Sequence, residues 1–258
     1  MSYFAYLLFF ICSTSSHTDA LNPSTSITTA FSDDINELTM NQFLFEDSLQ
    51  QLYTTIGLEK YDLSYDVFRY AMIGYVTLRQ QGKLNSKNLL SIIDFTKSSC
   101  KKRFYTIDLE KLNVKYFTYV SHGKNTGDDL AKSFSNFVHS NQSSLGFYVT
   151  GETYIGSKGY SLKLDGMEYG YNDNMRERAV VMHDADYVSE YWIKKYGRLG
   201  RSQGCPALPK EISKEVIDSI KDRTAIFAYY DDINYLKNST FLNLEKLLES
   251  SITAKLSN

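Results

Sequence analysis

The sequence lacks the charge excess and the short motifs that mark several large functional classes. Its 258 residues carry 28 Lys and Arg against 30 Asp and Glu, a net charge of −2. A balance this even provides no excess of positive charge that would attract nucleic acid. The sequence contains no C-x-x-C, H-E-x-x-H, G-x-G-x-x-G or Walker motif, which argues against metal and nucleotide sites. We therefore expect no metal, no nucleotide, no other cofactor and no nucleic-acid partner.

Proline and cysteine are both scarce, with three residues of each. The three cysteines are Cys12, Cys100 and Cys205. An odd number cannot form a complete set of disulfides, so at least one thiol has another role or fate. Apolar residues make up 43% of the chain, which is ordinary for a globular protein and argues against disorder or a fibrous structure.

The N-terminus carries a short apolar run over residues 3–12. The run is too short to span a bilayer and has the length of the hydrophobic region of a signal peptide. We expect this segment to direct export to the periplasm or cell envelope. Cleavage at or before Ala20 would then remove Cys12 from the mature protein. A lipoprotein anchor at Cys12 and a buried N-terminal strand are the alternatives. No Lys or Arg precedes the run, and this weakens the signal-peptide interpretation.

The remaining chain divides into regions that differ in the spacing of their apolar residues. Residues 21–35 are rich in Ser and Thr without periodicity and are interpreted as a linker. Residues 36–86 show apolar positions spaced by three and four, which predicts a helical hairpin; Ser64 is its expected internal N-cap. Residues 87–232 are rich in β-forming runs. Residues 233–258 are expected to form a peripheral helix or a frayed tail.

Seven β-rich runs predict the strands of the second region, and two helical patterns lie among them. Short strands with glycine-containing turns and few helices favour an antiparallel sheet that closes on itself. The predicted fold class is α+β, a mainly antiparallel β sandwich or barrel with an N-terminal helical hairpin. The predicted strands are 89–95, 103–109, 114–121, 145–153, 160–164, 179–183 and 224–230, and the helices are 188–196 and 212–220.

Cys205 stands in a turn that is suited to presenting a nucleophile. Gly204 before it allows backbone conformations closed to other residues, and Pro206 after it fixes the direction of the chain. The N–H groups of Gly204 and Cys205 could then converge on an oxyanion. A free thiol is mostly protonated at neutral pH and needs a nearby base or positive charge. The alternative is a small buried apolar side chain.

His183 ends a predicted strand and is followed by polar Asp184. A strand, a helix and a turn would then return Cys205 to the imidazole as a Cys–His dyad, with His183 as general base and acid. Without the cysteine motif, a surface histidine is the better interpretation. His122 and His139 are expected to be structural or solvated. Cys100, in the turn between the first two strands, is expected to be exposed and dispensable.

Four separated segments resemble the murein L,D-transpeptidase catalytic domain family, in its larger YkuD-like branch with a helical N-terminal extension. These segments are 144–154, 159–166, 178–183 and 197–207. The resemblance extends back through 93–95 and 122–124 to the helical hairpin, and so covers most of the mature chain. Such a combination is far more specific than the cysteine turn alone.

The resemblance implies particular roles for residues of this sequence. Cys205 would be the nucleophile and His183 the base, with the Gly204 and Cys205 N–H groups in the oxyanion hole and Ser202 at the motif's hydroxyl position. This sequence departs from the common pattern at three places. Gln203 stands where a His is common, Asp184 replaces the usual Gly, and 206–208 are apolar rather than polar.

The resemblance also implies the substrate, the stem peptides of peptidoglycan. The cysteine would attack the carbonyl of the L-centre of a diamino acid, and the resulting thioester would pass to an amine or to water. Arg201, Arg178, Tyr160 and Gln203 are the expected substrate-binding residues. The alternatives are an L,D-carboxypeptidase or endopeptidase, and a catalytically silent wall-binding domain. The presence of both His183 and Cys205 counts against a silent domain.

Overall fold

The structure is a computed structural model that describes the backbone of residues 27–256 and the side chains of residues 38–250. The expected signal segment 1–20, with Cys12, lies outside the described residues. Over the part of the chain that is described, no helix has the length and apolar character needed to cross a membrane.

The predicted helical hairpin is present at the start of the described chain. Helix α1 spans Ile27–Ile56 and ends at Gly57, whose φ of 72° is left-handed. A short 3-10 helix, Leu58–Tyr61, leads into helix α2, Tyr65–Gln80. The side chain of Ser64 accepts a hydrogen bond from the Val67 N–H, as expected for an N-cap.

Helix α1 begins inside the segment that was interpreted as a linker. The linker expected over 21–35 is therefore wrong from Ile27 onward. Between Pro23 and Gly57 the sequence contains no proline or glycine. Serine and threonine lower helix propensity only slightly, so their abundance did not end the helix.

Eight strands form one mixed sheet in the order β3-β2-β1-β8-β4-β5-β6-β7. Only the β1–β8 and β6–β7 pairs are parallel, so the sheet is mainly antiparallel, as predicted. The two-residue strand β7 was not predicted, because it is too short to show an alternation of apolar and polar residues. The strands are β1 Leu89–Asp94, β2 Phe104–Asp108, β3 Asn113–Thr118, β4 Gly146–Gly156, β5 Gly159–Gly166, β6 Val181–Asp184, β7 Ala207–Leu208 and β8 Ala225–Tyr229.

The two edges of this sheet approach each other and nearly close it into a barrel. After β3 the chain runs beside the segment that leads into β7, where Gly123 and Ser202 form an isolated parallel bridge. The Ser121 N–H donates to the Ala207 carbonyl at 2.9 Å. The predicted barrel-like α+β fold is thus confirmed, and its seam lies next to the Cys205 turn.

Helices cover the sheet and complete the core. Helix α2 packs so closely on the sheet that a Cβ on Gly74 would lie 2.0 Å from the Phe147 ring. Helix α3, Glu190–Tyr196, connects β6 to β7, and helix α4, Lys210–Ile220, connects β7 to β8.

The C-terminal segment is more ordered than the sequence indicated. It forms helix α5, Ile233–Asn238, and helix α6, Leu244–Leu256. Tyr235 is fully buried, and its hydroxyl donates to Glu168 at 2.8 Å. The other buried apolar residues of this segment join the main core. The expected helix is therefore present, but it is packed into the core rather than peripheral. The residues that join the core are Phe241, Leu242, Leu244, Leu247 and Leu248.

Candidate active site

A cavity of about 620 Å³ opens beside the barrel seam and contains both His183 and Cys205 on its wall. The turn between β4 and β5 contributes Lys158, and the loop after β6 contributes Tyr187. The two residues that the sequence singled out for chemistry therefore face one space.

The strand pairing explains why His183 and Cys205 meet. Strands β6 and β7 are parallel, with His183 opposite Ala207. A parallel pair needs a crossover connection, which the segment containing α3 supplies. Cys205 precedes Ala207 by two residues and lies beside Val181, whose N–H is 3.5 Å from the Cys205 Sγ. The predicted strand, helix and turn are all present.

His183 is held in a form that can accept a proton. Its Nδ1 lies 2.7 Å from the carbonyl oxygen of Asp184, so Nδ1–H donates there and Nε2 is left as the basic nitrogen. Burial lowers the pKa of His183; the Asp184 carbonyl opposes that shift, and the Lys158 charge adds to it. The imidazole is therefore neutral near pH 7 and available as a base.

Cys205 is a protonated thiol in the resting arrangement. Burial raises its pKa, while the Val181 N–H and the charges of Arg178 and Lys158 act in the opposite direction. The sulfur also lies 3.9 Å from the carbonyl oxygen of Ala179. Within the described chain, no hydrogen bond joins this sulfur to His183. The partners of this sulfur in the structure are thus the Val181 N–H and the Ala179 carbonyl oxygen.

Ser202 fixes the turn that carries the thiol. Its hydroxyl donates to the Cys205 carbonyl oxygen at 2.7 Å and accepts the Gly204 N–H at 3.0 Å. Gly204 has a φ of 119°, and a Cβ there would lie 2.7 Å from the Gln142 carbonyl oxygen. The Gly204 N–H is thus engaged with Ser202, and its role in an oxyanion hole stays a prediction. The Cys205 N–H has no carbonyl acceptor among the described residues.

Arg178 lines the cavity, but its guanidinium already forms hydrogen bonds with other residues of the protein. Its guanidinium donates to the carbonyl oxygens of Ser135 at 2.8 Å and Gln142 at 2.5 Å. It also donates to the hydroxyls of Ser140 and Ser144. Arg178 therefore secures the 135–144 segment of the wall and places positive charge near Cys205.

The other three expected substrate-binding residues lie in different surroundings. Gln203 is exposed on the cavity wall. Arg201 also lines the cavity, but it donates to the Gly127 carbonyl at 2.9 Å and forms an ion pair with Asp128. Tyr160 does not line the cavity, because its hydroxyl donates to Asp218 of α4 at 2.6 Å. Successive side chains of β5 point to opposite faces of the sheet, and Tyr160 lies on the face that α4 covers.

Several residues of the wall were not singled out from the sequence, among them Lys124, Lys158 and Tyr187. All three lie in turns or loops, where no periodic pattern marks them. Tyr187 packs closely against Gly200, where an added Cβ would lie 2.3 Å from the Tyr187 Cβ. Burial raises the pKa of Tyr187 to about 12, and negative charge on Cys205 would act in the same direction.

His122 is placed for structure rather than for catalysis. It is buried, with Nδ1 at 2.8 Å from an Arg103 Nη2 and Nε2 at 3.1 Å from the Asp128 carbonyl oxygen. Burial and the Arg103 charge lower its pKa to about 4. Its carbonyl accepts the Ser202 N–H at 3.0 Å, so it supports the nucleophile turn from behind.

Cys100 is less accessible than expected. It is half-buried, and its thiol lies 3.2 Å from the Gly197 carbonyl oxygen. Among the described residues, no cluster of three or more His, Cys, Asp or Glu side chains could hold a metal ion.

Comparison with known proteins gives distant structural similarity and one family match. An L,D-transpeptidase from Mycobacterium smegmatis is 12% identical with a TM-score of 0.34 over 56% of this chain, and this chain covers 59% of its length. An L,D-transpeptidase from Stackebrandtia nassauensis is 13% identical with a TM-score of 0.34, over 90% of this chain and 92% of its own. No curated protein matches the sequence. The family model for the L,D-transpeptidase catalytic domain matches residues 59–229, most of the chain, and the chain belongs to that family.

Proposed function

We propose that the protein is a peptidoglycan-modifying cysteine acyltransferase of the L,D-transpeptidase type, acting on stem peptides without a cofactor. Membership of the family supports this activity class. The single observation that carries the mechanism is that parallel pairing of β6 with β7 brings His183 and Cys205 to one cavity. A wall-binding module has no need of that pair.

The first half-reaction forms a thioester. The Cys205 thiol turns toward His183, and its proton passes to the imidazole Nε2. The thiolate attacks the carbonyl carbon at the L-centre of the stem-peptide diamino acid. The amide C–N bond to the terminal D-residue then breaks, and the leaving amine takes the proton back from His183.

The second half-reaction releases the acyl group. An acceptor amine gives up a proton to His183 and attacks the thioester, a new amide bond forms, and the cysteine leaves as a thiol. Water in place of the amine would give a free carboxylate, the outcome of a carboxypeptidase or endopeptidase. Both outcomes share the same acyl-enzyme.

The backbone around the nucleophile supplies the charge stabilisation. The Cys205 N–H is the group best placed to donate to the developing oxyanion. The Gly204 N–H joins it if the hydrogen bond to Ser202 opens when substrate binds. Arg178 and Lys158 favour the thiolate once it forms, because their charges lower the pKa of Cys205.

The wall of the cavity carries more positive than negative side chains. Lys124, Lys158, Arg178 and Arg201 face it, against the single acid Glu177. The ammonium groups of Lys124 and Lys158 have no partner among the described residues. They are therefore the groups we assign to stem-peptide carboxylates, in place of Arg178, whose donors are already used.

The proposed substrate lies outside the cytoplasmic membrane. The apolar run over residues 3–12 fits an exported protein, held in the periplasm or cell envelope. Any contact with the membrane is then through that segment.

The test is incubation of the purified protein with a disaccharide-tetrapeptide and analysis of the products by mass spectrometry. We expect loss of the terminal D-residue, and near-complete loss of turnover in Cys205→Ala and His183→Ala. Cys100→Ser is the matched cysteine control and should keep full turnover. A crosslinked dimer would identify a transpeptidase, and free tripeptide a carboxypeptidase. Turnover by Cys205→Ala at the normal rate would contradict the mechanism.

A further inference from the structure

A second cleft of about 350 Å³ adjoins the catalytic cavity. The two spaces share Lys124, Tyr187 and Arg201 as a common wall. The outer wall of this cleft consists of Trp192, Tyr196 and Arg198, and the reaction described above uses none of these three. We call this space the aromatic cleft.

Three rings form the apolar surface of the aromatic cleft. The Trp192 ring lies 4.6 Å from the Tyr196 ring and 6.4 Å from the Tyr187 ring, measured between centroids. Trp192 is half-buried on α3, which Ser189 caps. The indole N–H has no acceptor among the described residues. The cleft thus offers flat apolar faces together with an unused hydrogen-bond donor.

The arginines of the aromatic cleft are already neutralised. Arg198 pairs with Asp128 at 2.7 Å and donates to the Leu199 carbonyl at 2.8 Å. Arg201 pairs with the same carboxylate at 3.2 Å. Of the charged side chains that line the cleft, only Lys124 has no partner within the described chain, and it faces the catalytic cavity as well. The aromatic cleft is therefore built less for a free anion than for a ligand with apolar faces and polar edges.

A pyranose sugar has this combination, because its ring C–H groups form flat apolar patches and its hydroxyl and acetamido groups form hydrogen bonds at the rim. The volume of the cleft also falls in the range of small-ligand sites. We propose that the aromatic cleft binds the saccharide to which the stem peptide is attached. This inference rests on the proposed function, and it adds a glycan subsite outside the cavity that holds the thiol.

The wall that the two spaces share would let one substrate occupy both of them. An extended peptide advances about 3.3 Å per residue, so three residues between the sugar and the reacting carbonyl span roughly 10 Å. Tyr187 is the partition, since its ring contributes to both walls. The peptide would pass this ring on its way from the cleft to Cys205.

Fluorescence gives a direct test, because Trp192 is the only tryptophan in the sequence. We expect N,N′-diacetylchitobiose, a neutral disaccharide without peptide, to change the tryptophan emission in a saturable manner. Tyr196→Ala should weaken that binding, whereas Tyr191→Ala, an exposed position on the same helix, should not. A response to sugar-free tetrapeptide but none to the disaccharide would overturn the proposal and assign the cleft to the peptide.

Kinetics test whether the subsite serves the reaction. Wild-type protein should have a higher kcat/KM for disaccharide-tetrapeptide than for the tetrapeptide alone, on the order of ten-fold, the change that about 1.4 kcal/mol of added transition-state binding produces. Trp192→Ala should remove that preference and leave the value for the tetrapeptide unchanged. An equal fall for both substrates, or no preference in the wild type, would contradict the glycan subsite.

The two proposals can fail separately. Absence of a Cys205 thioester alongside a normal disaccharide titration would refute the proposed function and leave the sugar site standing. A normal thioester without any disaccharide response would refute the sugar site alone.

Discussion

Replacing Ser202 by alanine tests whether one hydroxyl holds the nucleophile turn. Ser202 is buried, and it is the partner of two backbone groups, the Gly204 N–H and the Cys205 carbonyl oxygen. The Ser202→Ala variant keeps the backbone but deprives both groups of that partner. We therefore expect a loss of stability and a displaced thiol.

The magnitude follows from the two hydrogen bonds. Leaving a buried donor or acceptor without a partner costs about 1–3 kcal/mol. Solvent from the open cavity can reach part of the turn, so we expect a total of about 2 kcal/mol for Ser202→Ala. For a domain of this size that corresponds to a fall in Tm of about 4–8 °C. A thiol displaced by about 1 Å should also reduce kcat by up to about 100-fold.

The assay is thermal unfolding of Ser202→Ala beside Ser213→Ala, together with acylation kinetics. Ser213 is also buried, on α4, but its hydroxyl has no hydrogen-bond partner in the described part of the chain. Its replacement removes an unsatisfied group and raises helix propensity, so its Tm should stay equal or rise. Equal Tm values for the two variants, with normal kcat in Ser202→Ala, would refute the reasoning.

Three further predictions concern pH and packing. Because burial lowers the pKa of His183, the acid limb of the pH profile of kcat/KM should have its midpoint below the ordinary histidine pKa of about 6.5. A midpoint above that value would contradict a neutral resting base. His122 has a folded pKa of about 4 against 6.5 in the unfolded chain, so between these values only the unfolded chain gains a proton. Denaturant unfolding should show about 3 kcal/mol of stability lost as pH falls across that window, and His122→Gln should lack this component. Gly74→Ala places a Cβ 2.0 Å from the Phe147 ring. The free energy of unfolding should fall, because overpacking costs about 1–3 kcal/mol and the gain in helix propensity is only about 1 kcal/mol. Phe147→Leu in the Gly74→Ala chain should recover part of that loss, and a Gly74→Ala variant as stable as the wild type would contradict the close packing.

The regular elements were predictable because each has a local physical signature. Ser64 shows the N-cap of α2, and Gly57 shows the end of α1. The start of α1 at Ile27 was missed because polar residues without period still form a helix when no breaker interrupts them. A helix in the tail was one of the two expectations, but its burial in the core was missed because that depends on the contact of Tyr235 with Glu168, which are distant in sequence.

The residues of the candidate site were predictable where they are concentrated in a motif, and not where their placement depends on packing. His183 and Cys205 were identified from a strand end and a glycine-flanked turn. That Arg178 is occupied, and that Tyr160 faces α4, follows from tertiary contacts that no local pattern shows. Tyr187 lies in a loop and gave no signal at all.

The most direct test of the central claim is the mass of the trapped acyl-enzyme. The protein is mixed with excess disaccharide-tetrapeptide, quenched in acid before the second half-reaction, and mapped by peptide mass spectrometry. The account predicts the disaccharide-tripeptide acyl group on Cys205, as a thioester that hydroxylamine removes. Turnover of substrate with the acyl group on another residue, or with no acyl group on Cys205, would contradict it.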